Sequence, residues 1–244
     1  MLRLVFDAFK NLLGLLRPGA AGDRNGHVYC AGHQMLEQPL KFFIVFFVVV
    51  EPISLIPIFT GLTTGATRQY KRRMAVKAVG VSAVILVLFA IGGAPFLGLM
   101  GISLEAFRIF GGLLLFLLAL EMVFARESGT RTSSSEAAES RRRADISVFP
   151  LAFPFITGPG ALATLLLWFG PLQLPRQGAL FAELLAAAGL VLAIALVLMV
   201  LADPLMRVIG VTGANVASRL LGVVLGALAV QFVLDGLRRA FAVG

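Results

Sequence analysis

The chain has 244 residues, of which 59% are hydrophobic and 14% charged, where soluble domains run near ~45–50% and ~25%. With a mean hydropathy of +0.93, it reads as an all-α polytopic membrane protein in a lipid bilayer, and a water-soluble globular domain is excluded. The net charge of +8 makes no case for nucleic acid, because the basic residues gather in short segments between apolar runs, where membrane topology accounts for them.

Residues 1–35 stand apart as an N-terminal extension, interfacial or disordered. Leu2, Val5, Phe6, Phe9, Leu12, Leu13 and Leu16 recur at helical spacing with Arg3, Asp7, Lys10 and Arg17 between them, a pattern that lies flat at the headgroup layer and is too short to span. A polar, Gly-rich stretch follows without the small-residue cleavage pattern of a signal peptide. Met35 stands just before the first membrane run, so translation is expected to start there naturally. His27 and His33 fall in this polar stretch and read as solvated; the lone Cys30 excludes an internal disulfide or a cysteine-cluster metal site. No cofactor and no metal is implied.

Six apolar runs come next, at about 40–62, 76–100, 103–124, 147–170, 180–202 and 213–235, each near the ~20 residues a bilayer requires. A polar linker at 126–145 divides them into a first three-helix repeat, 36–125, and a second, 146–244. The first run carries Glu51-Pro52-Ile53-Ser54-Leu55-Ile56-Pro57, and its Pro-x-x-x-x-Pro spacing returns in the fourth run at Pro154 and Pro159. Proline removes a donor and collides with the carbonyl one turn back, so helices 1 and 4 are expected to be broken at Pro/Gly, with Pro52 matching Pro154 and Pro57 matching Pro159. Gly101-Ile102-Ser103 ahead of Arg108 likewise resembles Gly210-Val211-Thr212 ahead of Arg219. An odd number of spans per half implies a 3+3 inverted repeat, the architecture of many secondary transporters. Basic residues such as Arg72, Arg73, Lys77 and Arg141 to Arg143 concentrate in the loops of one side, which puts both termini in the periplasm.

A charge inside hydrocarbon costs at least ~2.5–3.5 kcal/mol, so Glu51 needs a reason. Two readings compete: a cap on backbone N–H groups freed by Pro52, or a protonatable carboxylate that couples transport to protons or meets a substrate amine. Thr157-Gly158-Pro159-Gly160 predicts an unwound turn, set against the plainer reading of a simple proline kink. Half-helix N-termini favour a carboxylate, and hydroxyls of Ser54, Thr157 and Thr164 can accept from an ammonium group, a pairing that suits a zwitterion. The candidate substrate-binding set is therefore Glu51, Pro52, Ser54, Pro57, Thr157, Gly158, Pro159 and Gly160. Arg108 and Arg219 are read as gating residues or as anchors that set helix position. Gly111, Gly112, Gly222 and Gly226 read as packing positions, and Asp203-Pro204 as a helix stop. No nucleophile–base pair or P-loop lysine is present, so an enzyme is not expected.

The stretches Phe42 to Thr60, Gly101 to Gly112 and Phe149 to Gly160 resemble the MarC family of bacterial inner-membrane proteins over roughly residues 36 to 238. The resemblance implies six helices, a multi-pass place in the bacterial inner membrane, and kinship with a superfamily that includes the LysE-type exporters. It also implies transport of small neutral amino acids. The chain departs from the family pattern in carrying Glu51 before the first proline and Ser54-Leu55 after it. The expectation is a secondary transporter of a small-molecule substrate, with proton coupling through Glu51; the alternatives are efflux of drugs or other small metabolites, or a non-transporting membrane scaffold. Oligomeric state is left open.

Overall fold

The computed structural model describes residues 31–124, 145–172 and 174–242; the expected N-terminal extension up to residue 30 and the linker from 126 to 144 lie outside the described residues. Every element in the described residues is helical: α1 (Ala31–Val50), α2 (Pro52–Leu62), α3 (Arg68–Leu99), α4 (Leu104–Phe124), α5 (Ser147–Ile156), α6 (Pro159–Phe169), α7 (Leu174–Val200) and α8 (Ala202–Ala242). Five helical stretches, with α1 and α2 counted together as one, are long and apolar enough to cross a bilayer. The pair α5 and α6, bent by 57°, makes a sixth if it is one broken span. The six apolar runs thus reappear as helices.

The expected matching of prolines is corrected. The first break falls before Pro52, and the second falls before Pro159, so these two prolines, each opening an 11-residue half-helix, hold the same structural place. Proline suits a helix start because its missing N–H is one that no helical carbonyl would have bonded there. Pro57 lies inside the intact α2, and Pro154 inside α5. What selects the break is the residue before the proline, which the ring pushes out of right-handed helix: Glu51 is left-handed (φ 53°, ψ 59°) and Gly158 is extended (φ −64°, ψ 171°). The α5 segment is wound wider than an α-helix and is interrupted by extended backbone at Phe149 and Phe153, each followed by a cis proline.

The halves interleave rather than fold side by side. α1 and α2 pack on α7 as α5 and α6 pack on α3, and α2 packs on α8 as α6 packs on α4. Gly101 (φ 70°) precedes α4 and Gly210 (φ 65°) bends α8, both in the left-handed region that glycine occupies without a Cβ penalty. Phe42 joins α1 to α6 through Trp168 and Phe169, with ring centroids 5.6 and 5.7 Å away.

α4 and α8 run antiparallel in close contact. A methyl group on Gly112 would lie 2.9 Å from the Ala229 carbonyl oxygen, and one on Gly222 would lie 2.7 Å from Met122 Cβ. Both positions read as packing glycines, and the backbone approach is the reason. At one end of the bundle, Lys71 Nζ donates to both carboxylate oxygens of Asp203 at 2.8 and 2.9 Å, and Lys77 pairs with Asp145. Asp203-Pro204 therefore marks a stop and a start together: α7 ends at Val200 and α8 opens at Ala202. The Asp145 carboxyl is held down at about 2, first by the hydrogen bond from Lys77 and then by the Ser147 hydroxyl and amide.

Two outcomes are expected. Gly112→Ala should destabilise the protein by about 1–3 kcal/mol through overpacking, whereas Gly92→Ala, whose added methyl meets nothing within 4 Å, should be neutral or slightly stabilising; thermal unfolding in detergent reads both. Because the folded Asp145 value lies below the ~3.9 of a free aspartate, its tie contributes fully above about pH 4 and fades as pH falls toward 2. The melting-temperature gap between the protein and Asp145→Asn should hold from pH 7 to about 4.5 and then shrink; a gap already gone at pH 5 would contradict the Lys77 tie.

Candidate functional site

Glu51 is 1% exposed and sits at the junction of α1 and α2 in a left-handed conformation. That backbone state costs a non-glycine residue roughly 1–2 kcal/mol. The main chain passes through it with its bonds kept: Glu51 N–H donates to the Phe47 carbonyl at 2.9 Å, and Ser54 N–H donates to the Glu51 carbonyl at 3.0 Å. The side chain makes no capping bond to the start of α2, which removes the cap reading. Its Oε1 instead accepts from Ser54 Oγ at 2.6 Å and from Ser218 Oγ on α8, and the two hydroxyl oxygens lie 3.2 Å apart. Hydroxyls both donate and accept, so either serine can donate to Oε1 or to the other serine.

The second break is built differently. Thr157 is buried and spends its hydroxyl on the Ala152 carbonyl at 2.7 Å, and Thr164 spends its own on the Gly160 carbonyl at 2.9 Å. These bonds use each hydroxyl's proton and fix its orientation, and they leave the oxygen able to act as an acceptor. A methyl group on Gly158 would stand 2.6 Å from the Pro154 carbonyl oxygen, which is why a side chain does not fit there. The first turn of α6, Gly158 to Ala161, lines a pocket with about 40 Å³ of room, together with Val49, Leu114, Leu118 and Phe155. That volume suits water; ligand sites run to roughly 300–1,000 Å³, so admission of a metabolite requires the breaks to rearrange.

The two breaks meet at α1 and α6, where a methyl on Gly160 would lie 3.3 Å from Val49 Cγ1. Of the sequence-derived set, Glu51 and Ser54 form one polar cluster, Pro52 and Pro57 belong to the same half-helix, and Gly158, Pro159 and Gly160 line the pocket with Thr157 directly before them. Arg108 is half-buried near the start of α4, with Glu105, Asp235 and Arg239 as charged neighbours. Arg219 is exposed on α8. The residue that the sequence reading missed is its predecessor, Ser218. The only available signal was the small pair Ala217-Ser218 on a long apolar helix, which lets α2 approach but looks like any packing position. Among the described residues, no three His, Cys, Asp or Glu side chains group to hold a metal ion.

A family model described as MarC family integral membrane protein matches residues 36–241. A UPF0056 membrane protein of Aquifex aeolicus is 34% identical over 200 residues, covering 82% of this chain and 92% of its own. The UPF0056 membrane protein YhcE of Escherichia coli is 32% identical over 207 residues, with 82% and 92% covered. YvbG of Bacillus subtilis, another UPF0056 membrane protein, is 34% identical over 203 residues, with 82% and 94% covered. No solved structure matches significantly.

Ser218→Ala removes a donor from the buried Glu51 side chain, and removing one partner of a buried hydrogen bond costs about 1–3 kcal/mol. The variant should lose stability on that scale in a chemical-denaturation series, while Asn215→Ala, one turn away and exposed, should not. Equal losses in both would mean that Ser218 does not hold Glu51.

Proposed function

The chain belongs to the MarC family of integral membrane proteins, and for this member we propose secondary transport of small neutral amino acids across the bacterial inner membrane, coupled to protons through Glu51. The observation that carries the reading is a carboxylate 1% exposed, set at a helix break and held by hydroxyls from two different helices. Ionisable residues in membrane spans mark substrate or proton paths, because hydrocarbon penalises them heavily. A 3+3 inverted repeat is supported by the paired contacts α1–α7 with α5–α3 and α2–α8 with α6–α4, and by left-handed glycines at Gly101 and Gly210. Basic residues near the start of α3 support placing that end in the cytoplasm and both termini in the periplasm.

In this mechanism the substrate enters where Val49 now touches Gly160. Its carboxylate meets the first turn of α6, where amide groups without helical partners carry partial positive charge. Its ammonium group meets Glu51 and the hydroxyl of Ser54. A proton on Glu51 neutralises the site when the substrate is absent, so the carboxyl alternates between proton and ammonium. Ser218 moves with α8 and passes that change to the last helix. Arg108 and Arg219, near opposite ends of the α4–α8 pair, set helix position.

Proteoliposomes holding the purified full chain provide the test. Labelled glycine, alanine or serine should accumulate under an imposed pH gradient and far less without one. Glu51→Gln should abolish the gradient dependence while leaving exchange measurable. No flux of any of the three removes the substrate claim; flux indifferent to the gradient, or a variant that still follows it, removes the proton claim.

A further inference from the structure

The first turns of α3 carry more positive charge than the described residues neutralise. Lys71 is paired with Asp203 and Lys77 with Asp145, but Arg72 and Arg73 are exposed and have no ion-pair partner among the described residues. Together with Gln69 and Lys77 they border an open groove of about 500 Å³, with Val76 as its apolar member. Two guanidinium groups and an amide side by side offer the forked donors that phosphate oxygens take.

The groove does not end in solvent. Along the same face Val76, Val84 and Leu88 are 51%, 60% and 65% exposed, and between them Gly80 is exposed with open space where a side chain would be. These residues recur every four positions, so they form one stripe below the arginines. From Val76 to Leu88 the helix rises about 18 Å at 1.5 Å per residue, a little more than one leaflet of hydrocarbon at ~15 Å. The stripe is thus basic at headgroup height and apolar for the depth of an acyl chain, with a furrow at Gly80.

We infer that this face of α3 is a binding site for an anionic glycerophospholipid, its phosphate held by Arg72 and Arg73 and one acyl chain lying in the Gly80 furrow. Charge complementarity selects an acidic headgroup, and continuity with the apolar stripe selects a lipid over a soluble anion. A neutral lipid would offer these guanidinium groups no net negative charge, and no described residue supplies it either. The site stands apart from Glu51 and from the pocket at Gly158, and it does not depend on what the protein carries.

Native mass spectrometry of the full chain in detergent, titrated with phosphatidylglycerol, phosphatidylcholine of the same chain lengths, and inorganic phosphate, tests it. Phosphatidylglycerol should bind several-fold tighter than phosphatidylcholine. The double variant Arg72→Gln/Arg73→Gln should lose about tenfold or more of that affinity, on the ~1 kcal/mol per basic residue typical near anionic membranes. Arg207→Gln/Arg238→Gln, which removes two exposed charges elsewhere, should lose little. Gly80→Leu fills the furrow without changing charge and should weaken the lipid but not phosphate. Equal losses in the two double variants reduce the effect to diffuse charge and overturn the site. So do equal affinities for the two lipids, phosphate binding as tight as the lipid, or an unaffected Gly80→Leu.

Discussion

Hydrocarbon supplies no hydrogen-bond partners, so each break in a membrane helix must be repaired from within the protein. At the second break the repair is local: Thr157 N–H and hydroxyl both reach the Ala152 carbonyl, at 2.8 and 2.7 Å, and Leu162 N–H returns to the Gly158 carbonyl at 3.1 Å. At the first, the backbone is carried through Glu51 by bonds to Phe47 and from Ser54. The Glu51 side chain draws one of its partners from a distant helix, Ser218 on α8. The rest of the arrangement follows from that difference. α2 must lie against α8 for the carboxylate to be solvated, and α8 must lie against α4 through glycines for its outer face to remain apolar.

The halves make paired contacts yet answer the same geometric demand with different residues. Gly158 takes the position before the proline at no steric cost and presses its bare Cα against the Pro154 carbonyl. Glu51 takes the equivalent position in a left-handed conformation that a side chain adopts only at a cost. A glycine there would be easier for the fold. Strain kept at a position that also buries a charge is the usual mark of a working residue, and it confines the charge to one half. The proton–ammonium exchange proposed above rests on that one carboxyl.

Helical class, the number of apolar runs and the two breaks were legible in composition and in proline placement, because those signals are local. Register between the breaks was not. Counting Pro-x-x-x-x-Pro equated Pro52 with Pro154, whereas the structure aligns Pro52 with Pro159, because those two prolines each open a half-helix after Glu51 and Gly158, while the extended Phe153 before Pro154 lies within the wide-wound α5. The competing readings of Glu51 also needed tertiary information. A cap and a carboxylate bound across helices look identical in sequence, and Ser218 becomes visible only once α8 is laid against α2. Thr157 and Thr164 show the reverse: their hydroxyls look unconstrained in sequence, and the structure fixes them by donation to carbonyls of their own segments, which leaves them as acceptors only. Arg219 drew notice through its likeness to Arg108, while the group that matters stood one residue earlier and faced inward.

The ion pairs at the start of α3 bear on how such a fold could move. Asp145 lies two residues before α5, which leads to the second break, and Asp203 lies in the first turn of α8, which carries Ser218 to the first. One end of α3 thus tethers the approaches to both breaks. Both aspartates are 43% exposed, and ion pairs at that exposure contribute only about 0–1 kcal/mol each. Tethers of that strength would not lock the approaches to the breaks in place. The apolar contact of Val49 with Gly160 is the complementary element, because separating it exposes a pocket that water or substrate must fill. Separating the two breaks would therefore turn on refilling that contact.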